Sequence, residues 1–140
     1  MPLFDTNVCV IATLGPNPGL MHETRGMLET VGDVLLPALW VHEFNHVLVR
    51  QNRKQGEGHV TKPEARLARR AADLLVDYTL QHEDHAAVLD LALHFNCSGY
   101  DAEFIYWAIE LDMPLITNDL KLCRTVPAHT LPLRDYLVQR

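Results

Sequence analysis

Short apolar runs separated by longer amphipathic stretches set the layout of this chain. Leu3-Phe4, Val34-Leu35-Leu36 and Leu115-Ile116-Thr117 carry no polar alternation, the pattern of strands covered on both faces. Tyr78, Leu80 and His82 alternate weakly and suggest a third strand in chain order, and the tail around Thr130–Leu133 suggests a fifth. Helices fit between them. One runs from about Asn7 to Thr13, before the breaker Gly15-Pro16-Asn17-Pro18-Gly19. Another spans Met21 to Val31 and stops at Gly32. Ala38–Gln55 ends at Gly56, and a helix from Pro63, a favourable first-turn residue, reaches about Asp77. His85–Phe95, Tyr100–Leu111 and a short helix from Asp119 complete the series. Strands alternating with helices predict an α/β domain, with a central parallel β-sheet of about four to five strands sandwiched by helices.

At 140 residues the expectation is one domain, 1–140, large enough to bury a real core. No apolar run approaches the ~20 residues of a membrane span. Asp5, with no basic residues around it, precedes the apolar segment Val8–Leu14, which argues against a secretory leader. Cys9, Cys97 and Cys123 are widely spaced and form no CxxC, so reduced thiols in a cytoplasmic protein are expected.

In parallel α/β sheets ligands bind beyond the carboxyl ends of the strands. Asp5 closes the first strand and is followed by Thr6-Asn7; Asp119 closes the Leu115–Thr117 strand after Asn118. Either acid alone suits a helix cap, but the same arrangement at two strand ends points to a shared site. Asp101 precedes Phe104 and Ile105 by three and four residues, so it lies on the apolar face of its helix and points inward at the end of the core. Glu103, about 200° around the helix from Asp101, is expected to face water. On the Ala38–Gln55 helix, Trp40, Val41, Phe44, Val47 and Leu48 form the apolar stripe, and Glu43 lies on its shoulder. Burying carboxylates without a counter-charge is costly, so these acids call for a cation or for protons.

Asp5-Thr6-Asn7-Val8, the helical Glu43, Tyr100-Asp101-Ala102 and Thr117-Asn118-Asp119-Leu120-Lys121-Leu122 together resemble the PIN domain, with the VapC-like toxins of toxin–antitoxin pairs as the nearest subgroup. The resemblance runs from Asp5 to the strand after Asp119. It implies an RNA phosphodiester hydrolase in which Asp5, Glu43, Asp101 and Asp119 hold Mg²⁺ or Mn²⁺, supported by Asn7 and Thr117. It also implies a small antitoxin partner and a homodimer. Hard divalent cations prefer oxygen ligands, and such an ion activates water and stabilises charge on a phosphate, so several acids at one point suit in-line hydrolysis. The chain departs from the family pattern in three places: the first strand is short, Cys9 stands where a larger aliphatic is usual, and Glu103 replaces a small or apolar residue.

The formal charge of −6 does not announce a nucleic-acid binder. Its distribution is uneven. Arg50, Arg53, Lys54, Lys62, Arg66, Arg69 and Arg70 face only Glu57 and Glu64 over the same span, which leaves this stretch at +5 and the remainder at −11. A solvated hairpin accounts for it blandly; an RNA-binding rim accounts for it functionally. Arg66, Arg69 and Arg70 share one helix face, with Leu67, Ala71, Leu74 and Leu75 expected on the packed face beside it.

Two rival readings stand. His42-Glu43-Phe44-Asn45-His46 is a literal H-E-x-x-H, the zinc metalloprotease pattern, with His59 or Glu64 as the nearest third ligand. Both histidines fall about 160° from the apolar stripe, however, and Asp5, Asp101 and Asp119 are left unexplained. The other rival is a non-catalytic PIN fold that binds RNA or a partner, although all four acidic positions are filled.

Overall fold

The computed structural model describes residues 2–140. Five strands, β1 (Leu3–Phe4), β2 (Leu35–Pro37), β3 (Tyr78–Leu80), β4 (Leu115–Thr117) and β5 (Thr130–Pro132), form one sheet in the order β3-β2-β1-β4-β5. Every pairing is parallel, with Leu3 in register with both Leu35 and Leu115. β1 is central, and the topology reverses between β1 and β4, the point at which such sheets open a crevice.

Two-residue periodicity in the strands divides the core. Phe4, Leu36 and Ile116 face one side, packed with Val8, Cys9, Met27, Trp40, Phe44 and Leu133. Leu3, Leu35 and Leu115 face the other, against Phe104, Ile105, Ala108 and Leu122. The first layer is built by α1 (Thr6–Leu14), α2 (Pro18–Thr30), α3 (Trp40–Arg53), α4 (Lys62–Leu75) and α8 (Leu133–Gln139). The second is built by α6 (Gly99–Glu110) and α7 (Leu120–Thr125), with α5 (His85–Phe95) packed outside α6. Because the strand residues alternate between two buried layers, each run reads as wholly apolar.

The expected elements form, with informative shifts at their ends. α2 starts three residues before Met21, because Asn17 caps it by accepting the Leu20 amide and Pro18 sits in the first turn, so the expected breaker initiates the helix. Thr61 and Glu64 make a reciprocal capping box that starts α4. α8 is an element the sequence pattern does not announce: it follows β5 directly, and only Leu133 is fully buried in it. No helix among the described residues is long and apolar enough to cross a membrane.

Two expectations about α4 hold only in part. Its packed face is Ala65, Ala68, Arg69, Ala72 and, as expected, Leu75, whereas Leu67 and Leu74 are 63% and 86% exposed. Small residues allow α4 to approach α1 and α3 closely, and a leucine face would hold it off. Arg69 therefore lies inside the α3–α4 contact and is not a free surface cation. Its guanidinium sits 4.5 Å from the Trp40 ring centroid and 5.0 Å from that of Phe44. It donates to the Val41 carbonyl and to Asn45 Oδ1, and it pairs with Asp73.

Candidate acidic active site

Backbone topology delivers three of the acids to one end of the sheet. Asp5 follows β1, and its amide donates to the Ile116 carbonyl of β4 at 2.9 Å. Asp119 follows β4 after a single intervening residue. Asp101 occupies the first turn of α6, whose cap is Ser98. Glu43 comes from the first turn of α3.

Thr117 ties the two strand ends together. Its buried hydroxyl donates to Asp5 Oδ2 at 2.8 Å and accepts from the Asp119 amide at 3.0 Å and from Asn7 Nδ2 at 3.1 Å. Asn7 completes the clamp: its amide group also reaches Asp5 Oδ2 at 3.3 Å, and its Oδ1 accepts the Asn118 backbone N–H at 3.0 Å. Asn7 and Thr117 thus touch the acids in the way expected of orienting groups. Thr6, which sequence reasoning passed over, performs the same service for Glu43, donating from a buried hydroxyl to Oε1 at 2.7 Å. Its signal was its position directly after Asp5, at the start of a helix that leads away from the site.

The two strand-end aspartates differ in the role a cap would give them. Asp119 does cap α7, its Oδ1 accepting the Leu122 amide at 3.0 Å. Asp5 occupies the cap position of α1 yet makes no side-chain cap bond, so its carboxyl is left to the site.

Electrostatics link the set. Burial, with the negative charges of Glu43 and Asp101 added, raises the pKa of Asp5 from 3.8 to about 7 despite the bond from Thr117. Glu43 is raised by its own burial, and Asp101 adds to this while the Thr6 bond opposes it. Asp101 is raised by burial and by Asp119, with Ser98 and the nearby Lys121 ammonium acting against the shift. Three carboxylates of raised proton affinity, Asp5, Glu43 and Asp101, together with Asp119 form a hard-oxygen donor set suited to a divalent cation. As the side chains stand, no three His, Cys, Asp or Glu groups among the described residues are arranged to enclose an ion. The donor types fit such an ion, and the rotamers do not close around one.

The remaining expected residues divide. Arg50 lines a depression of about 460 Å³ beside Glu43, together with His46, Val47 and Tyr100. Arg53, Lys62 and Arg66 line a different hollow between α3 and α4, and Lys54 lies on a third surface near Val10 and Leu14. Arg70 is exposed and Arg69 is half-buried. The basic stretch is therefore spread over several surfaces.

His42 and His46 are both exposed on α3. The suggested third ligands are engaged elsewhere, His59 with the Lys54 carbonyl and Glu64 in its capping box. The zinc-protease arrangement thus has no third arm. Glu103 does not face water as expected. It is half-buried and takes a hydrogen bond from His82 Nε2 at 2.7 Å, because α5 and the segment after β3 cover that side of α6.

A search of curated proteins finds no match for the chain. A comparison with protein families matches residues 3–126 to the PIN domain. That match spans β1, α3, α6 and the β4–α7 junction, the elements that carry the four acids, and with the parallel five-stranded sheet it shows that the chain belongs to the PIN domain family, whose members are in general nucleases that work with divalent metal ions.

Proposed function

We propose that this protein is a Mg²⁺- or Mn²⁺-dependent endoribonuclease that hydrolyses RNA phosphodiester bonds, and that it serves as the cytoplasmic toxin of a toxin–antitoxin pair. The observation that carries the reading is Asp5: an inward carboxyl, released from capping, held by Thr117 and Asn7 and surrounded by further carboxylates. A purely structural aspartate would be neutralised by a cation of the protein, and here its charged neighbours are acids.

Asp5, Glu43, Asp101 and Asp119 would hold the cation, which when bound supplies an activated water and stabilises charge on the phosphate. The chain's own groups set the geometry. Thr117 and Asn7 hold the Asp5 carboxylate in one orientation, and Thr6 holds that of Glu43. Arg50 and the exposed face of Tyr100, at the edge of the Glu43 depression, suit a phosphate and a base of a single strand. The expected products carry a 5′-phosphate and a 3′-hydroxyl. A small antitoxin that covers this cleft and a homodimer complete the proposal; both rest on the resemblance of the acidic motifs to VapC-like toxins.

The test is incubation with total RNA and Mg²⁺ or Mn²⁺, followed by mapping of the cleaved ends, with EDTA and Asp101→Asn as controls. Cleavage abolished by both controls supports the reading. Wild-type protein that leaves RNA intact with either metal overturns it.

A further inference from the structure

Glu103 is one of the places where the chain departs from the family pattern, and the acidic centre makes no use of it. It lines a cavity of about 480 Å³ at the carboxyl end of β3. Leu39 and His42 border both this cavity and the depression beside Glu43, so the two are neighbouring compartments of one cleft. The cleft runs from Glu43, one of the four acids, to the end of β3.

The cavity is built with some care. His82 Nδ1 accepts the Asp84 amide at 3.0 Å, which leaves the ring proton on Nε2 to be donated to Glu103 Oε2. The His82 side chain is only 8% exposed and lies against Tyr106, ring centroids 4.1 Å apart, with Trp107 edge-on to it. The ring is therefore locked, and it locks the Glu103 carboxylate. Oε1 accepts no hydrogen bond from the described residues. Ala38, Leu39 and Leu80 supply apolar surface, and His42 and His85 supply exposed aromatic rims.

We propose that this cavity is a base-recognition subsite, which seats a guanine of the substrate strand with its Watson–Crick edge on the Glu103 carboxylate. The proposal rests on the ribonuclease reading and deepens it. Glu83 and Glu103 in the lining repel phosphate, so the part of a nucleotide that enters is the base. A fixed carboxylate presents two acceptors side by side. Guanine alone among the four bases offers two adjacent donors, N1–H and the N2 amine. Adenine and cytosine place a ring acceptor next to their amine, and uracil flanks its single N–H with carbonyls, so each sets an acceptor against an acceptor. Unstacked bases of single-stranded RNA are read by this combination of aromatic contact and edge hydrogen bonding.

Single-stranded RNA oligonucleotides, identical except for G, A, C or U at each position in turn around the cleaved bond, test the assignment. Cleavage is read as kcat/KM with Mn²⁺ or Mg²⁺ on the wild type and on Glu103→Gln. Binding is read by fluorescence anisotropy in the Asp101→Asn background. One position is expected to favour guanine by roughly 10-fold or more, the value of a good bidentate pair. In Glu103→Gln the amide oxygen can keep the His82 bond and turns the NH₂ toward the base, so the guanine preference is expected to disappear. Inosine at that position of the RNA removes the N2 amine without touching the protein and is expected to lose most of the advantage; this arm holds even if the variant fails to fold. Cleavage with no guanine preference, or a preference that survives Glu103→Gln and inosine, overturns the subsite and leaves the nuclease reading intact. Guanine-dependent binding without cleavage by the wild type supports the subsite and overturns the nuclease. Neither binding nor cleavage overturns both.

Discussion

The acidic end of the sheet and the basic α3–α4 region are opposite in more than charge. In the first, residues scattered from position 5 to position 119 are joined by hydrogen bonds of 2.7 to 3.3 Å through Thr6, Asn7 and Thr117. In the second, cations within one stretch of sequence end on different surfaces, and the most central of them, Arg69, is taken up in packing against Trp40 and Phe44. Proximity in sequence therefore said little about shared function, and position at a strand end said a great deal. A strand end is placed by the sheet's backbone bonds, whereas a helical side chain is placed by its phase and by what the helix packs on.

The largest effects should come from the acids. Asp101→Asn is expected to lower metal-dependent RNA cleavage by ~10²–10³-fold, the scale on which preorganised transition-state electrostatics act. Circular dichroism should remain that of the wild type, because Asp101 is half-buried at a helix start already capped by Ser98. Cleavage by Asp101→Asn at the wild-type rate would reduce the acids to structural residues.

Asp5 sharpens the comparison through stability. Its folded-state pKa is raised from 3.8 to about 7, so the folded protein binds the Asp5 proton more tightly than the unfolded chain does. Stability from this group is full below about pH 4 and is lost as pH rises toward 7; in the absence of divalent metal the total is on the order of 4 kcal/mol. Urea denaturation across that window should show wild type falling relative to Asp5→Asn, and Mg²⁺ or Mn²⁺ should narrow the gap. A gap that stays constant with pH would mean that Asp5 is not held in its raised state.

Removal of an orienting hydroxyl should cost less. Thr117→Val and Thr6→Val are expected to weaken Mn²⁺ binding by roughly 10–100-fold, read by calorimetric titration, with the fold retained. Equal affinity in both variants would detach these bonds from the ligand set.

The basic region separates by burial. Arg69→Ala should destabilise the protein by about 1–3 kcal/mol in urea denaturation, from lost contacts with two aromatic rings and from unpaired acceptors. Arg66→Ala and Arg70→Ala should stay within about 0.5 kcal/mol of wild type. For RNA binding the pattern reverses: Arg50→Ala is expected to lower the salt slope of single-strand affinity by ~0.7 in the Asp101→Asn background. An unchanged slope in Arg50→Ala together with a reduced one in Arg66→Ala would move the phosphate track to the hollow between α3 and α4.

Legibility in the sequence followed the same division. The doubly covered strands, their order of alternation with helices and the acids at their ends were readable, since two-residue periodicity and strand termini are local features. The inward placement of Asp101 and the shoulder position of Glu43 followed from helical phase, and both residues are half-buried. Phase misled in part on α4: Leu67 and Leu74 mark an exposed face while Leu75 packs against the core, because alanines make the close contact with α1 and α3. The strand β3, with two of its three residues exposed, gave only a weak signal, as an edge strand does.

By itself, the sequence determined the parallel α/β architecture and which acids stand at the ends of its strands, because apolar periodicity and strand termini depend on near neighbours along the chain. Only the tertiary structure decided which side chains those acids meet. Thr6 on Glu43, Thr117 across to Asp5, His82 onto Glu103 and Arg69 beneath Trp40 join residues 21 to 112 positions apart. Such contacts arise from the order in which strands enter the sheet and from the side on which each helix crosses it, and neither is written in any local window.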